Sequence, residues 1–175
     1  MKYDDPTAMV QTGNFSDNTF QPTNSEWISS YGDCQDTDSI TYSLNDESIK
    51  FIDEHPELFP ADNESDLEEL IDYDVEYKQL NKNITPYLTR LIEKKLYVVQ
   101  IEVYPDMYGK DATFIILENN DGSEVYYVIY FGDTGDIYED DTVTCIGLPI
   151  AQSSYKNVLG GYTKCIVVFG SQVIK

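Results

Sequence analysis

Five runs of apolar and β-branched residues dominate the second half of the chain. The first, LYVVQIEVY at residues 96–104, ends at Pro105 and has the composition of a β-strand. ATFIILE, SEVYYVIYF, TVTCIGLPI and YTKCIVVFGSQVI follow at intervals that suit strands. NNDG between the second and third runs predicts a tight hairpin turn, in which Asp121 and Gly122 suit positive φ. Gly147 predicts a bulge or a sharp bend in the fourth strand.

Five strands without crossover helices favour a small closed barrel over a sandwich, which needs about seven strands. We therefore expect a mainly β fold with an α-helical lead-in. Residues 96–175 are predicted to form a five-stranded Greek-key barrel like the oligonucleotide/oligosaccharide-binding (OB) fold, preceded by two or three short helices.

Residues 43–95 have a helical period and are predicted to be an acidic lead-in packed on the barrel. SLNDESIKFIDE combines a polar cap with Ile49 and Ile52 on one helical face, and Pro56 ends that helix. Ser65 is a cap candidate for a second short helix in DLEELID, and a third is expected at residues 75–83.

Two apolar features lie outside these helices. Leu58 and Phe59, between two prolines, predict a plug that packs on a core. Residues 1–42 are rich in polar residues without a sustained period, which predicts a linker or weakly ordered arm. Phe15, Phe20 and Trp27 are its candidate anchors, and Trp27 is the preferred one.

Charge argues against nucleic acid as a partner. The 32 acidic and 11 basic residues give a net charge of −21, which repels phosphate backbones and anionic lipid heads. A barrel that binds nucleic acid carries a basic groove. Here the barrel's only cations are Lys110, Lys156, Lys164 and Lys175.

Neither a spanning helix nor a signal peptide is visible in the pattern, because no apolar run reaches 18 residues and the first residues lack a basic-then-apolar order. No membrane insertion by this segment is expected. An anchor in a longer protein stays open as an alternative.

No motif points to a metal, a cofactor or a catalytic site, and we expect no enzyme. Cys34, Cys145 and Cys165 contain no C-x-x-C pair; Cys145 and Cys165 are interpreted as buried core residues, with a disulfide between them as the alternative. His55, the only histidine, lacks a nucleophile context. The acidic loop at residues 133–141 lacks the EF-hand spacing and is interpreted as a solvated turn.

Two segments carry a family resemblance. DVEYKQLNKNITPYLTRLIEKKLYVVQIEV and YEDDTVTCIGLPIAQSSYKNVLGG resemble OB-type barrel domains of secreted or membrane-anchored, often zinc-ribbon-containing, proteins of Gram-positive bacteria. The resemblance covers residues 74–175. It implies the fold and an envelope location, while function in that family is generally unassigned. The matching positions, mainly packing and turn residues, are Tyr77, Leu80, Lys82, Asn83, Tyr87, Asp141, Val143, Gly147, Tyr155, Gly160 and Gly161.

Tyrosines are the candidate ligand-binding residues, since their amphipathic rings give contact area at low entropy cost. Tyr108 and Tyr155 lie in the loops after strands one and four, which flank the ligand face of OB barrels. Tyr130 is a third candidate, on a third strand whose tyrosines point to both faces. The alternative is that the helical lead-in covers these rings.

The function expected from the sequence is that of a non-enzymatic extracytoplasmic module that binds a protein, peptide or glycan through the barrel face and adjoining loops. Its location is then extracellular or cell-envelope-associated. The alternative is a cytoplasmic regulatory or scaffold domain. A metal-dependent hydrolase is a weaker alternative, which would need acids clustered around an ion.

Overall fold

The computed structural model describes residues 21–33, 40–107 and 109–175. Its five strands are β1 (Ile92–Met107), β2 (Lys110–Glu118), β3 (Val125–Phe131), β4 (Thr142–Lys156) and β5 (Tyr162–Ile174). Neighbouring strands are antiparallel except for the parallel pair β3–β5. Because β1 pairs with both β2 and β4, the sheet closes in a ring with the order β1-β2-β3-β5-β4. The predicted mainly β fold with five strands is confirmed.

Two strands are longer than predicted. β1 begins at Ile92 rather than residue 96 and runs past Pro105, because its first half pairs with β4 and its second half with β2. A register shift after Val98 separates the halves. β4 continues through residues 151–156, predicted as loop, because β5 supplies backbone partners as far as the pair Lys156–Tyr162.

Both faces of β2, β3 and β5 are buried along most of their length, which explains their nearly continuous apolar runs. Side chains from all five strands fill the inside of the ring, among them Val98, Ile115, Leu117, Tyr126, Val128, Val143, Cys145, Ile166 and Val168. The alternate residues of β2, β3 and β5 face outward and are covered by the N-terminal segments; they include Phe114, Ile116, Tyr127, Ile129, Phe131, Cys165, Val167 and Phe169.

Within the described residues, three α-helices precede the strands: α1 (Asn24–Gly32), α2 (Asp46–Glu54) and α3 (Tyr77–Lys82). α2 begins at an Asn45 cap and ends before Pro56, as predicted. The helix predicted in DLEELID is wrong, since the segment forms only the 3-10 turns Glu64–Asp66 and Glu68–Leu70. The backbone N–H of Asp72 donates to the Leu91 carbonyl, and this pairing draws the chain into an extended course after Leu70.

α1 lies within the stretch predicted to be a weakly ordered arm. Thr23 and Glu26 form a capping box at its start, and Trp27 is 0% exposed. Trp27 is the buried anchor expected from the sequence; Phe15 and Phe20 lie outside the described residues. The helical spacing of Trp27, Ile28 and Tyr31 is the signal that the polar composition obscured.

The apolar plug predicted at Leu58 and Phe59 is confirmed. Both side chains are buried, and the Phe59 ring stacks on Phe169 of β5 with centroids 4.3 Å apart. The Ala61 backbone N–H then donates to the Ser171 carbonyl. The lead-in is thereby attached to the outer face of the sheet.

Two predictions concern the backbone, one at a turn and one at a bulge. In the NNDG turn, positive φ falls on Gly122 (+70°) and not on Asp121. Gly147 lies at a register shift between β4 and β5, as expected for a bulge.

Candidate functional site

The outer face of β2 and β3 is occupied by the protein's own helix α1. Tyr31 stacks on Phe114 with centroids 4.8 Å apart, and Trp27 lies 6.3 Å from the same ring. The Tyr31 hydroxyl is 2.7 Å from the Tyr127 hydroxyl. The alternative that N-terminal structure covers the tyrosines is therefore correct for Tyr127, although the cover comes from α1 rather than from residues 43–95.

Where α1 does not cover the sheet, the neighbouring polar side chains of β1 are hydrogen-bonded to one another. Gln100 donates to Glu102 Oε1 at 2.8 Å, and the Tyr104 hydroxyl donates to Glu102 Oε2 at 2.6 Å. The Tyr104 ring meets the Phe114 ring edge-on. Only about 10 Å³ of space remains between these side chains and Tyr127. That volume is at the lower limit for a single water molecule and excludes a larger ligand.

The structure does not bring the predicted tyrosines together. Tyr130 lies opposite Thr113 near the end of β3, whereas Tyr155 pairs with Thr163 before β5 reaches β3. From the register, about 20 Å of strand separates their levels. Both rings are half-buried, and burial is the main cause that raises the pKa of each phenol. Tyr108 lies outside the described residues.

A larger cleft lies on the outer face of the β1–β4 pair. Two cross-strand pairs form its floor, Lys95 opposite Thr144 and Tyr97 opposite Thr142. The cleft holds about 650 Å³, which lies within the range of small-molecule and oligomer sites. Its full lining is Lys95, Leu96, Tyr97, Asn120, Thr142, Val143, Thr144 and Lys175.

Two lysines line this cleft, and they differ in their surroundings. Lys175 Nζ lies 2.8 Å from Asp141 Oδ2, a contact that lowers the pKa of the Asp141 carboxyl. Lys95 is exposed and makes no ion pair with a carboxylate in the described ranges. Tyr97 is 40% exposed, so that an aromatic ring and a cation lie side by side on one open surface.

Sequence reasoning missed this cleft because β1 was predicted to begin at residue 96. The exposed Lys95 and Tyr97 alternate with the buried Leu96 and Val98. A strand predicted to begin a few residues earlier would have included this alternation. The pairing of β1 with β4 brings in Thr142 and Thr144 across 45 residues of chain or more. No local pattern contains that information.

The acids considered as metal ligands are engaged in turns. Asp133 Oδ1 accepts from the Gly135 N–H, and Asp141 Oδ2 accepts from the Tyr138 N–H. Across residues 21–33, 40–107 and 109–175, no group of three His, Cys, Asp or Glu side chains is placed to hold a metal ion. The ring centroids of His55 and Phe51 are 4.7 Å apart, and His55 Nδ1 lies 3.4 Å from Glu57 Oε1.

Cys145 and Cys165 are buried free thiols on opposite faces of the sheet. Cys145 points inside the ring and pairs with Val173, whereas Cys165 points outward and pairs with Ser153. Burial raises the pKa of each thiol to about 12. The interpretation as core residues is confirmed, and the alternative of a disulfide between them is wrong.

Comparison with known proteins adds no assignment: no protein-family model, no curated protein and no solved structure matches the chain. In the part of the chain that the structure describes, no helix has the length and apolarity to cross a membrane. A functional argument therefore depends on the chemistry of the cleft.

Proposed function

We propose that this chain is a non-enzymatic extracytoplasmic binding module, built on an OB-type barrel, that binds a glycan or a peptide in the β1–β4 cleft. The observation that carries the proposal is the cleft itself, in which Tyr97, Lys95 and two threonines share an open floor of ligand size. A glycan is the preferred ligand among those expected from the sequence.

The strand connectivity supports the OB-type interpretation. A five-stranded ring in which β1 pairs with two neighbours and β3 runs parallel to β5 is compatible with a partly open Greek-key barrel. In OB barrels the face of strands two and three binds the ligand. Because α1 covers that face here, we expect the ligand to bind to β1 and β4 instead.

The cleft's side chains suit a polyhydroxylated ligand. The Tyr97 ring offers an apolar face with a polar edge, against which a sugar ring or an extended peptide can lie. Hydroxyls of Thr142 and Thr144 and the Asn120 amide donate and accept hydrogen bonds. Lys95 supplies a cation that has no carboxylate partner among the described residues, which favours ligands that carry a carboxylate or other anionic group.

The proposed location depends on the family resemblance, which implies secreted or membrane-anchored proteins. The two buried free thiols favour the alternative of a cytoplasmic regulatory or scaffold domain, since disulfides are rare in that compartment. Fractionation of the source cells, with protease added to intact cells, decides between them: digestion from outside supports the extracytoplasmic module.

The binding test uses an array of glycans, peptidoglycan fragments and peptides with the purified chain and Tyr97→Ala. Loss of the aromatic floor is expected to weaken binding about twofold to tenfold, because stacking contacts of this kind contribute about 0.5–1.5 kcal/mol. Tyr162→Ala is the matched control, an exposed tyrosine at the far end of β5.

Equal binding by wild type and Tyr97→Ala would place the ligand elsewhere and reject the cleft. Lys95→Gln refines the answer. Selective loss of the anionic ligands in this variant would confirm that the ammonium group recognises a negative charge.

A further inference from the structure

The hairpin of β4 and β5 projects beyond the rest of the sheet. The outermost pair between β3 and β5 is Tyr126–Ile166, whereas β4 and β5 stay paired as far as Lys156–Tyr162. Four residues of each strand thus extend the ribbon by about 13 Å. At its end, Asn157 Oδ1 accepts from the backbone N–H groups of Leu159 and Gly161, which fixes the turn.

The end of this ribbon presents apolar side chains to solvent. Leu159 is 93% exposed, Val158 89% and Tyr162 66%, the highest values among the large hydrophobic residues that the structure describes. Single exposed apolar residues are ordinary on protein surfaces. Three at one projecting turn form a compact apolar patch, which we call the hairpin tip (residues 156–162).

The chain that forms the hairpin carries lysines and no acidic residue, although Glu118 of β2 is near enough to act on Tyr155 of the ribbon. None of the 32 acidic residues lies after Asp141, and residues 142–175 contain three lysines. Lys156 and Lys164 are on the projecting ribbon itself. The Debye length is about 8 Å at physiological ionic strength, shorter than the projection of about 13 Å. An anionic surface that meets the tip is therefore attracted by the lysines while the repulsion from the body is screened.

We propose that the hairpin tip inserts into the interface of a lipid bilayer. Val158 and Leu159 enter the boundary between headgroups and acyl chains, Tyr162 lies at headgroup level, and Lys156 and Lys164 meet lipid phosphates. Tyr162 and its cross-strand partner Lys156 lie at the level next to the apolar turn, and Lys164 lies further back. Aromatic rings and lysines with long apolar stems are the residue types found at the headgroup level of a membrane interface. The contact is interfacial and does not span the bilayer.

This contact is independent of the proposed ligand cleft. The floor of the cleft is at Thr142 and Thr144, whereas the tip begins twelve or more residues further along β4, about 40 Å by strand length. Two apolar side chains give weak, reversible binding, since even a single myristoyl chain anchors a protein only marginally. Binding through the tip alone is therefore expected to be weak and reversible, and the test needs lipid at about millimolar concentration.

The test is flotation of the full chain with vesicles of phosphatidylcholine alone and of phosphatidylcholine with phosphatidylglycerol, at physiological salt and about millimolar lipid. Wild type is expected to float with both and more strongly with the anionic vesicles. Val158→Ser with Leu159→Ser is expected to lower binding to both at least about tenfold. Lys156→Gln with Lys164→Gln is expected to remove only the preference for anionic lipid.

Tyr138→Ser is the matched control, since Tyr138 is 62% exposed and lies outside the hairpin. Emission of the buried Trp27 verifies that each variant is folded. Wild type that fails to float with either vesicle overturns the proposal. Equal flotation by the Val158/Leu159 variant overturns it as well.

Discussion

At the scale of single residues, Gly147 shows how the ring closes. It lies at the register shift in β4, where β5 approaches so closely that a Cβ atom would be 2.5 Å from Val168 Cγ1 and 2.6 Å from the Phe169 carbonyl oxygen. Real Cβ atoms do not tolerate such distances, so any side chain must displace the β5 backbone. The absence of a side chain, rather than unusual φ, is what this position requires.

We expect Gly147→Ala to lower the free energy of unfolding by about 1–3 kcal/mol, the usual cost of overpacking. Urea denaturation followed by circular dichroism measures it. Gly161→Ala is the control, because its Cβ would meet only the Asn157 side chain at an ordinary 3.5 Å. Unchanged midpoints for both variants would show that β5 can move away without cost.

At the scale of elements, α1 makes the outer face of β2 and β3 part of the core. The Trp27 ring packs edge-on against Phe131 of β3 with centroids 4.9 Å apart and stacks with Tyr31 with centroids 5.6 Å apart. One turn of the helix thus contributes two aromatic rings that are buried together with Phe131. The Trp27 indole N–H has no hydrogen-bond partner within the described ranges. The contribution of this side chain is therefore packing.

Trp27→Ala is expected to destabilise the protein by about 3–5 kcal/mol, the range for truncating a buried aromatic side chain. Urea denaturation followed by circular dichroism measures the loss, since the variant has no tryptophan. Trp27→Phe should cost less than half as much, because it keeps a ring and loses no hydrogen bond. A small effect of the alanine variant would mean that α1 contributes little to the core.

At the scale of the whole molecule, self-repulsion acts on the folded state. The formal charge of the chain is −21, and every acidic residue within the described ranges is exposed or half-exposed. A compact chain of one charge sign is destabilised by repulsion that an expanded chain relieves. Ion pairs such as Arg90–Asp72, at 2.7 Å, offset only a small part of this charge.

We expect the melting temperature to rise by several degrees when the ionic strength increases from about 0.01 M to about 0.15 M, since the Debye length falls from about 30 Å to about 8 Å. Calorimetry in sodium chloride at neutral pH measures the shift. A melting temperature that falls with salt would show that attractive pairs outweigh the repulsion.

The molecule's parts differ in how far the sequence predicts them. Local signals predicted the five strands, the helix end before Pro56, the plug at Phe59 and the buried Trp27, and the structure agrees. The pattern failed where competing tertiary hydrogen bonds decide the conformation, as at Asp72, whose bond to Leu91 accompanies two 3-10 turns in place of a helix. Tyr130 and Tyr155 were both predicted to bind a ligand because of their residue type, but the strand register places them at different levels of the sheet.

By itself, the sequence determined the number of strands and the apolar centre of each, because burial on both faces leaves a continuous apolar run. Only the tertiary structure decided which face each side chain joins, as for Cys145 and Cys165, because an apolar run looks the same from either side. It also decided that β1 meets β4 and forms the cleft. The physical reason is that such pairing depends on packing between residues far apart in the chain, which no local period records.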